Sequence, residues 1–262
     1  MKVLMIDIGG SNVKFMNSRG GEMRRLKSGP ELTADEMVHG VLAQTGDWDF
    51  DVISIGFPGL VQQGRPVRDP LNLGPGWLNF DFEAAFGKPV RMINDASMQA
   101  LGNYVHGRLL FLGFGTSIGT SIIADDVVIP VEVGMIRMSR KDTFVDRLSK
   151  AALKEHGLEA WTQAVHEAVE LMQDVFHPQE TVLGGGNTKL LEKLPDGCRP
   201  TDNSSAYVGA LRLWDDADMW AVPAETTWKI QRRPQGEVPV VEPSAEEETE
   251  SAAEAKKVPE PV

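Results

Sequence analysis

Two kinds of residue in this sequence could do chemistry, and both sit at the ends of apolar runs: carboxylates and glycine-rich turns. Asp95 closes the run Arg91-Met-Ile-Asn94 and precedes a helical pattern, which places its carboxylate at the mouth of a cleft rather than inside a core. A carboxylate there can take the proton from a hydroxyl as that oxygen attacks phosphorus. Asn94 and Asp95 together can grip the hydroxyls of a polar substrate. Standing alone, Asp95 would read as a helix N-cap, so its chemistry depends on what surrounds it. Asp7 ends another apolar run, where it can hold a divalent metal through water.

Three glycine turns supply those surroundings. They are Gly9-Gly10-Ser11, Gly115-Thr116-Ser117-Ile118-Gly119 and Gly184-Gly185-Gly186, each following an apolar run. Glycine lets backbone amides approach an anion closely, and adjacent amides form a nest for phosphate oxygens. Ser11, Thr116 and Ser117 add hydroxyl donors, and Lys14 adds a cation. Phosphate loops on both sides of a cleft turn Asp95 from a cap into a candidate base.

The elements that must position these residues follow from periodicity. Residues 2–7, 12–17 and 22–27 read as strands, the last two joined by the Ser18-Arg19-Gly20-Gly21 turn. Residues 52–56 and 91–95 are two more, and a helix spans about 96–105. The pattern then recurs with strands at 108–112, 121–124 and 127–133. A repeat offset of about 105 residues is too long for a solenoid and implies a duplicated two-lobe α/β domain. Trp161, Ala164, Val165, Ala168, Val169, Met172, Val175 and Phe176 form a core-facing helical stripe. Residues 180–183 read as a strand, and Asn187 as the cap of a helix reaching Leu194. A last helix spans about 205–217, and the sequence leaves open which lobe it packs on.

Composition narrows the function class. The chain has 262 residues, 42% apolar and 24% charged, as a folded protein does. Its one cysteine excludes a disulfide framework and a paired-cysteine zinc site, so no zinc is expected, and a cytoplasmic location fits. A net charge of −12 argues against nucleic acid. No apolar run approaches the roughly 18 residues of a membrane span. Residues 229–262 carry eight Glu against five Lys or Arg and no aromatic residue, and read as a disordered acidic tail. Between Arg137 and Lys154 six Lys or Arg face two Asp, a track that would suit a polyanion or form a solvated helix face.

Asp7-Ile-Gly-Gly-Ser-Asn-Val-Lys14 resembles the first phosphate motif of the ROK sugar kinases, within the actin-like, hexokinase-like (ribonuclease H-like, duplicated) ATPase fold. Gly56-Phe-Pro-Gly59, Asn72-Leu-Gly-Pro-Gly-Trp77, Asn94-Asp95-Ala96, Gly115-Thr-Ser-Ile-Gly119, Glu132-Val-Gly134 and Val182-Leu-Gly-Gly-Gly186 follow in that family's order. The resemblance runs from residue 2 to about 220, and the polyphosphate glucokinases are the most similar branch. It implies phosphoryl transfer from polyphosphate or ATP to the 6-hydroxyl of glucose. The alternatives are a kinase for another hexose, or a catalytically impaired protein that binds sugar or nucleotide.

By the same resemblance Asp95 is the general base, and Asn94, Glu132, Gly59 and Asn72 hold or line the sugar. Gly9, Gly10, Ser11, Lys14, Gly115, Thr116, Ser117 and Gly119 would hold the phosphates, and Gly184, Gly185 and Gly186 the donor's far end. Mg2+ would ride on the donor, with Asp7 reaching it through water. Homodimers are common in the family and one is possible here. The implied division is an N-terminal lobe at 1–106, a C-terminal lobe at 107–204, a final helix at 205–228 and the tail at 229–262. Two positions depart from the family pattern: Met135 stands where a sugar-contacting His is usual, and Ser117 where a Gly is usual.

Overall fold

The apolar runs fold into two five-stranded sheets with the same strand order. In the computed structural model, which describes residues 1–20, 22–202 and 204–215, the first half contains β1 (Val3–Ile8), β2 (Asn12–Asn17), β3 (Arg24–Lys27), α1 (Ala34–Gln44), β4 (Val52–Phe57), β5 (Val61–Gln62), β6 (Arg65–Pro66), α2 (Phe82–Phe86), β7 (Val90–Asn94) and α3 (Asp95–Asn103). The second half contains β8 (Arg108–Phe114), β9 (Ile118–Ala124), β10 (Val127–Pro130), α4 (Phe144–Leu148), α5 (Lys150–Phe176), β11 (Glu180–Gly184), β12 (Cys198–Pro200) and α6 (Ser204–Asp215).

The first sheet runs β3-β2-β1-β4-β7 and the second β10-β9-β8-β11-β12. In each, the first three strands in sequence form an antiparallel meander, and two parallel strands complete the other side. The expected duplicated α/β architecture is therefore present, and β12 adds to the second sheet a strand that the sequence reading did not contain. The expected tail lies outside the described residues. Among the described residues, no helix is long and apolar enough to cross a membrane.

Helix α3 is the element that matters most for position, because it lies between the sheets. Ala96, Ala100 and Leu101 pack on Leu109 and Phe111 of β8, while Met98 packs on Val3 and Met5 of β1. The opposite face of each sheet is covered by its own helix: Leu4, Ile6 and Ile8 meet Met37, Val38 and Val41 of α1. Leu110, Leu112 and Phe114 meet Trp161, Val165 and Val169 of α5. Apolar residues alternate between two covered faces, so both central strands read as near-continuous hydrophobic runs.

The partner of the last helix is now visible: α6 packs on the first sheet and on α3. The two helices cross almost backbone to backbone. A Cβ on Gly209 would sit 1.8 Å from the Met98 carbonyl oxygen, and one on Gly102 would sit 1.9 Å from that of Ser205. The Arg212 guanidinium donates to the carbonyls of Leu101 (2.6 Å) and Tyr104 (2.5 Å), satisfying the open end of α3. Ser54 of β4 donates to the Ala210 carbonyl at 2.6 Å and accepts from the Trp214 indole at 2.9 Å.

Three local expectations change. The β8–β9 hairpin is tighter than the glycines suggested, with Gly113 opposite Gly119 and Phe114 opposite Ile118. The helix containing the Trp161 stripe starts at Lys150 and is broken at Gly157, which has φ 82° and ψ 167°; Val175 of that stripe is exposed. Asn187 does not cap a helix reaching Leu194. Only a single 3-10 turn forms, Thr188–Leu190, and the Asn187 side chain makes no cap bond to it.

Candidate active site

The first glycine turn is the β1–β2 connection. Asp7 pairs with Lys14 across the hairpin, and the Gly9 amide donates to the Asn12 carbonyl at 3.0 Å. The second turn joins β8 to β9, closed by Gly115 N–H to the Ser117 carbonyl at 3.0 Å. It is braced from α5, whose Lys150 N–H donates to the Gly115 carbonyl at 2.8 Å. Ser117 has no positive φ, so serine fits there without backbone strain. The third turn leans on the second: Gly185 has φ +84°, and a Cβ on it would lie 2.3 Å from the Phe114 carbonyl oxygen. Only glycine satisfies both conditions. The first and second turns also approach each other, since a Cβ on Gly10 would lie 3.8 Å from the Thr116 side chain.

These turns line one cleft of about 460 Å³. All but one of the expected site residues border it: Asp7, Gly9, Gly10, Ser11, Lys14, Gly59, Asn72, Asn94, Asp95, Gly115, Thr116, Ser117, Gly119, Glu132, Gly185 and Gly186. Gly184 stands behind the wall, at the end of β11. A Cβ there would lie 2.7 Å from the Phe111 ring, so this glycine makes room for an aromatic residue. Met135 is also outside the lining and is 79% exposed.

The ambiguity over Asp95 resolves in the geometry. The N-cap of α3 is Asn94, whose Oδ1 accepts from the Ser97 N–H at 3.0 Å. Its Nδ2 donates to the Gly59 carbonyl at 3.1 Å, tying the strand end to the 58–59 turn. Asp95 is thereby free of capping. Its Oδ1 accepts from the adjacent Ala96 N–H, at 2.8 Å.

Four carboxylates line the cleft; the N–H groups of Leu78 and Trp77 hold Asp69 below the usual carboxylate range, whereas burial raises the other three. Burial pushes Asp95 up to about 7, reinforced by the negative charge of Asp7 and, less, of Glu132; the Ala96 N–H opposes the rise. Burial also raises Asp7, partly offset by Lys14. Glu132 is raised by burial and pulled back by the Arg68 guanidinium. Asp95 is thus poised near neutrality, where a group can both accept and release a proton.

Other lining residues were not singled out as site residues from the sequence: Arg68, Gln99, Lys150 and Asn187. Lys150 belongs to the basic run 137–154, and it alone of those six cations lines the cleft. Arg68 had no signal beyond its charge. The cleft therefore brings three cations, Lys14, Arg68 and Lys150, to a site that also holds four carboxylates, Asp7, Asp69, Asp95 and Glu132. That pairing suits a bound anion beside a proton-transfer group.

A divalent cation can be tested against the donor set. Among the described residues no group of three or more His, Cys, Asp or Glu could ligate a metal together. Asp7 offers a single carboxylate at the phosphate turn. This fits an ion whose remaining ligands are phosphate oxygens and water, the habit of Mg2+.

No family model matches the chain. Among curated proteins it is similar to the N-acetylmannosamine kinase of Vibrio vulnificus (strain YJ016), 36% identical over 109 residues, which are 38% of this chain and 37% of that one. The polyphosphate glucokinase of Mycobacterium leprae (strain TN) is 24% identical over 238 residues, 78% of this chain and 72% of that one. The match to the Vibrio enzyme thus spans little more than a third of its length. Among solved structures, the inorganic polyphosphate/ATP-glucomannokinase of Arthrobacter sp. strain KM aligns with a TM-score of 0.70 at 24% identity, over 81% of this chain and 97% of that one. A ROK family glucokinase from Streptomyces griseus, in complex with glucose and AMPPNP, aligns at 0.63 with 16% identity, over 81% of this chain and 99% of that one. The chain has the two-lobe fold of the ROK-family sugar kinases.

Proposed function

We propose that the protein is a sugar kinase that moves the terminal phosphoryl group of polyphosphate or ATP to a hexose hydroxyl. The observation that carries this reading is Asp95: a carboxyl raised to about 7, uncommitted to capping, in a cleft walled by glycine turns from both lobes. Asp95 accepts the proton of the attacking hydroxyl. Asn94, Asn72, Gly59 and Glu132 line the acceptor's side, and the turns at Gly9–Lys14 and Gly115–Gly119 hold the donor's phosphates. Lys14, Arg68 and Lys150 neutralise charge on the phosphate oxygens. Bound Mg2+ would add further neutralisation of the donor. Closure of the cleft excludes water, whose attack would waste the phosphoryl group.

Glucose is the acceptor favoured by the glucokinase-like motif order and by the solved neighbours. A second acceptor, N-acetylmannosamine, is favoured by the 36% identity over 109 residues to an N-acetylmannosamine kinase. The test is one assay grid: glucose, mannose and N-acetylmannosamine, each with ATP and with polyphosphate in the presence of magnesium. Phosphorylated sugar that disappears in Asp95→Asn supports the reading and names donor and acceptor. Silence across the grid removes it and leaves a binding protein.

A further inference from the structure

Four buried side-chain polar atoms among the described residues have no hydrogen-bond partner: Trp77 Nε1, Gln99 Oε1, Thr120 Oγ1 and Asn187 Nδ2. Buried polar groups are nearly always paired, so each exception calls for an explanation. Trp77 and Thr120 are not among the residues that line the cleft, whereas Gln99 and Asn187 line it. The orphaned atom of Gln99 is an oxygen, 3.3 Å from the space a Cβ on Gly184 would fill. An oxygen gains nothing from a phosphate oxygen. Asn187 instead presents an N–H donor, and it follows directly on the third glycine turn.

The backbone around Asn187 is fixed on every side. Its N–H donates to the Phe114 carbonyl at 3.1 Å, and its carbonyl accepts from the Leu190 N–H at 2.9 Å. Gly185, two residues earlier, is locked against the second turn by the same Phe114. The hydroxyl of Thr188 donates to the Gly184 carbonyl. Nothing in this arrangement uses the carboxamide, which does not cap the 3-10 turn that follows. A donor held rigidly in a cleft, with its own chain offering no acceptor, is preorganised for an acceptor that arrives with a ligand.

We infer that Asn187 is a donor-binding residue: its Nδ2 donates to an anionic oxygen of a condensed phosphate lying along the second and third glycine turns. The assignment rests on the kinase reading above and extends it to a side chain outside the glycine motifs. The contact makes and breaks no covalent bond. Its chemistry is common to a nucleoside triphosphate and an inorganic polyphosphate, so the two sources are separated by experiment.

The test uses the full chain as wild type, Asn187→Ala and Asn187→Asp, titrated calorimetrically with a non-hydrolysable ATP analogue and separately with inorganic tripolyphosphate, both with magnesium. A hydrogen bond to a charged oxygen predicts binding weakened about tenfold or more in the alanine variant. The aspartate variant, which keeps the shape and replaces the donor with a negative charge, should bind more weakly still. Sugar affinity and melting temperature should not move. Loss on tripolyphosphate alone places the contact on a polyphosphate chain, and loss on the nucleotide alone places it on a nucleotide phosphate; either supports the assignment. Both variants binding both probes as tightly as wild type would overturn it while leaving the kinase reading standing. A wild type that binds neither probe overturns both together.

Discussion

At the scale of single residues, the division of labour between Asn94 and Asp95 decides what the site can do. Neighbours in sequence, they take different roles, because Asn94 caps α3 and ties down Gly59 while Asp95 opens the helix with its carboxylate outside the cap, held by the Ala96 N–H. Asp95→Asn should lower turnover by about 10²–10⁴, the range of a positioned general base, with sugar binding retained. Near-normal turnover would remove Asp95 from that role. The wild-type profile of kcat/KM should rise with pH and level off above about 7, where Asp95 is ionised and able to accept a proton. Because Asp7 contributes to that elevation, Asp7→Asn should move the acidic limb to lower pH even while it slows the reaction. An unmoved limb would show that another group sets it.

The same elevation has a stability consequence of definite sign. Folding favours the neutral form of Asp95, so its contribution is greatest below the ordinary carboxylate value of 3.8 and is lost as pH rises to about 7. Above that, the folded state holds a buried charge. Asp95→Asn should therefore be more stable than wild type at pH 8, and the difference should shrink at pH 5. Chemical denaturation at the two pH values checks both the direction and the trend.

At the scale of elements, α3 owes its position to a crossing with α6 that has no room for a side chain at Gly209 or Gly102. Gly209→Ala forces the Cβ onto the Met98 carbonyl, and overpacking of this kind costs about 1–3 kcal/mol or more. A fall in melting temperature of about 2–4 °C per kcal/mol follows for a domain of this size. Turnover should fall with it, since Asp95 is the first residue of the displaced helix. Gly20→Ala, where no atom lies within 4 Å of the added Cβ but φ is +90°, is a comparison that strains the backbone far from the cleft; it should leave turnover intact.

How much of this was legible follows from the range of each interaction. Nine strands and the three glycine turns are local signals, legible to within a few residues, whereas the short β5, β6 and β12 were not. The α1 capping box, Thr33 with Glu36, is also a local signal. The partner of α6 was not legible, since the approach of Gly102 and Gly209 joins residues far apart in the chain. Asn187 read as a cap because it follows a glycine turn. Its backbone instead takes helical angles, φ −87° and ψ −15°, rather than the extended conformation of a capping residue, and no periodicity reveals that. Arg68 reaches the cleft from a loop by tertiary folding alone.

At the scale of the whole molecule, the two sheets repeat one strand order, and α3 lies packed between them. The duplicated hairpins bring two glycine turns to one cleft, so a phosphate held by both is also a bridge between the halves of the fold. Ligand that binds only this assembled cleft must stabilise it by mass action. At about 100 times its dissociation constant a single ligand contributes about 2.7 kcal/mol, or about 5–10 °C in melting temperature for a domain of this size. Sugar and a non-hydrolysable donor analogue should each raise the melting temperature, and Asp95→Asn should keep both shifts while losing turnover. That combination separates binding from chemistry, because the base acts on a proton whereas the cleft is built by residues of both sheets. Failure of every sugar and every condensed phosphate to shift the melting curve would mean that the cleft does not close on these ligands, and the proposed reaction would go with it.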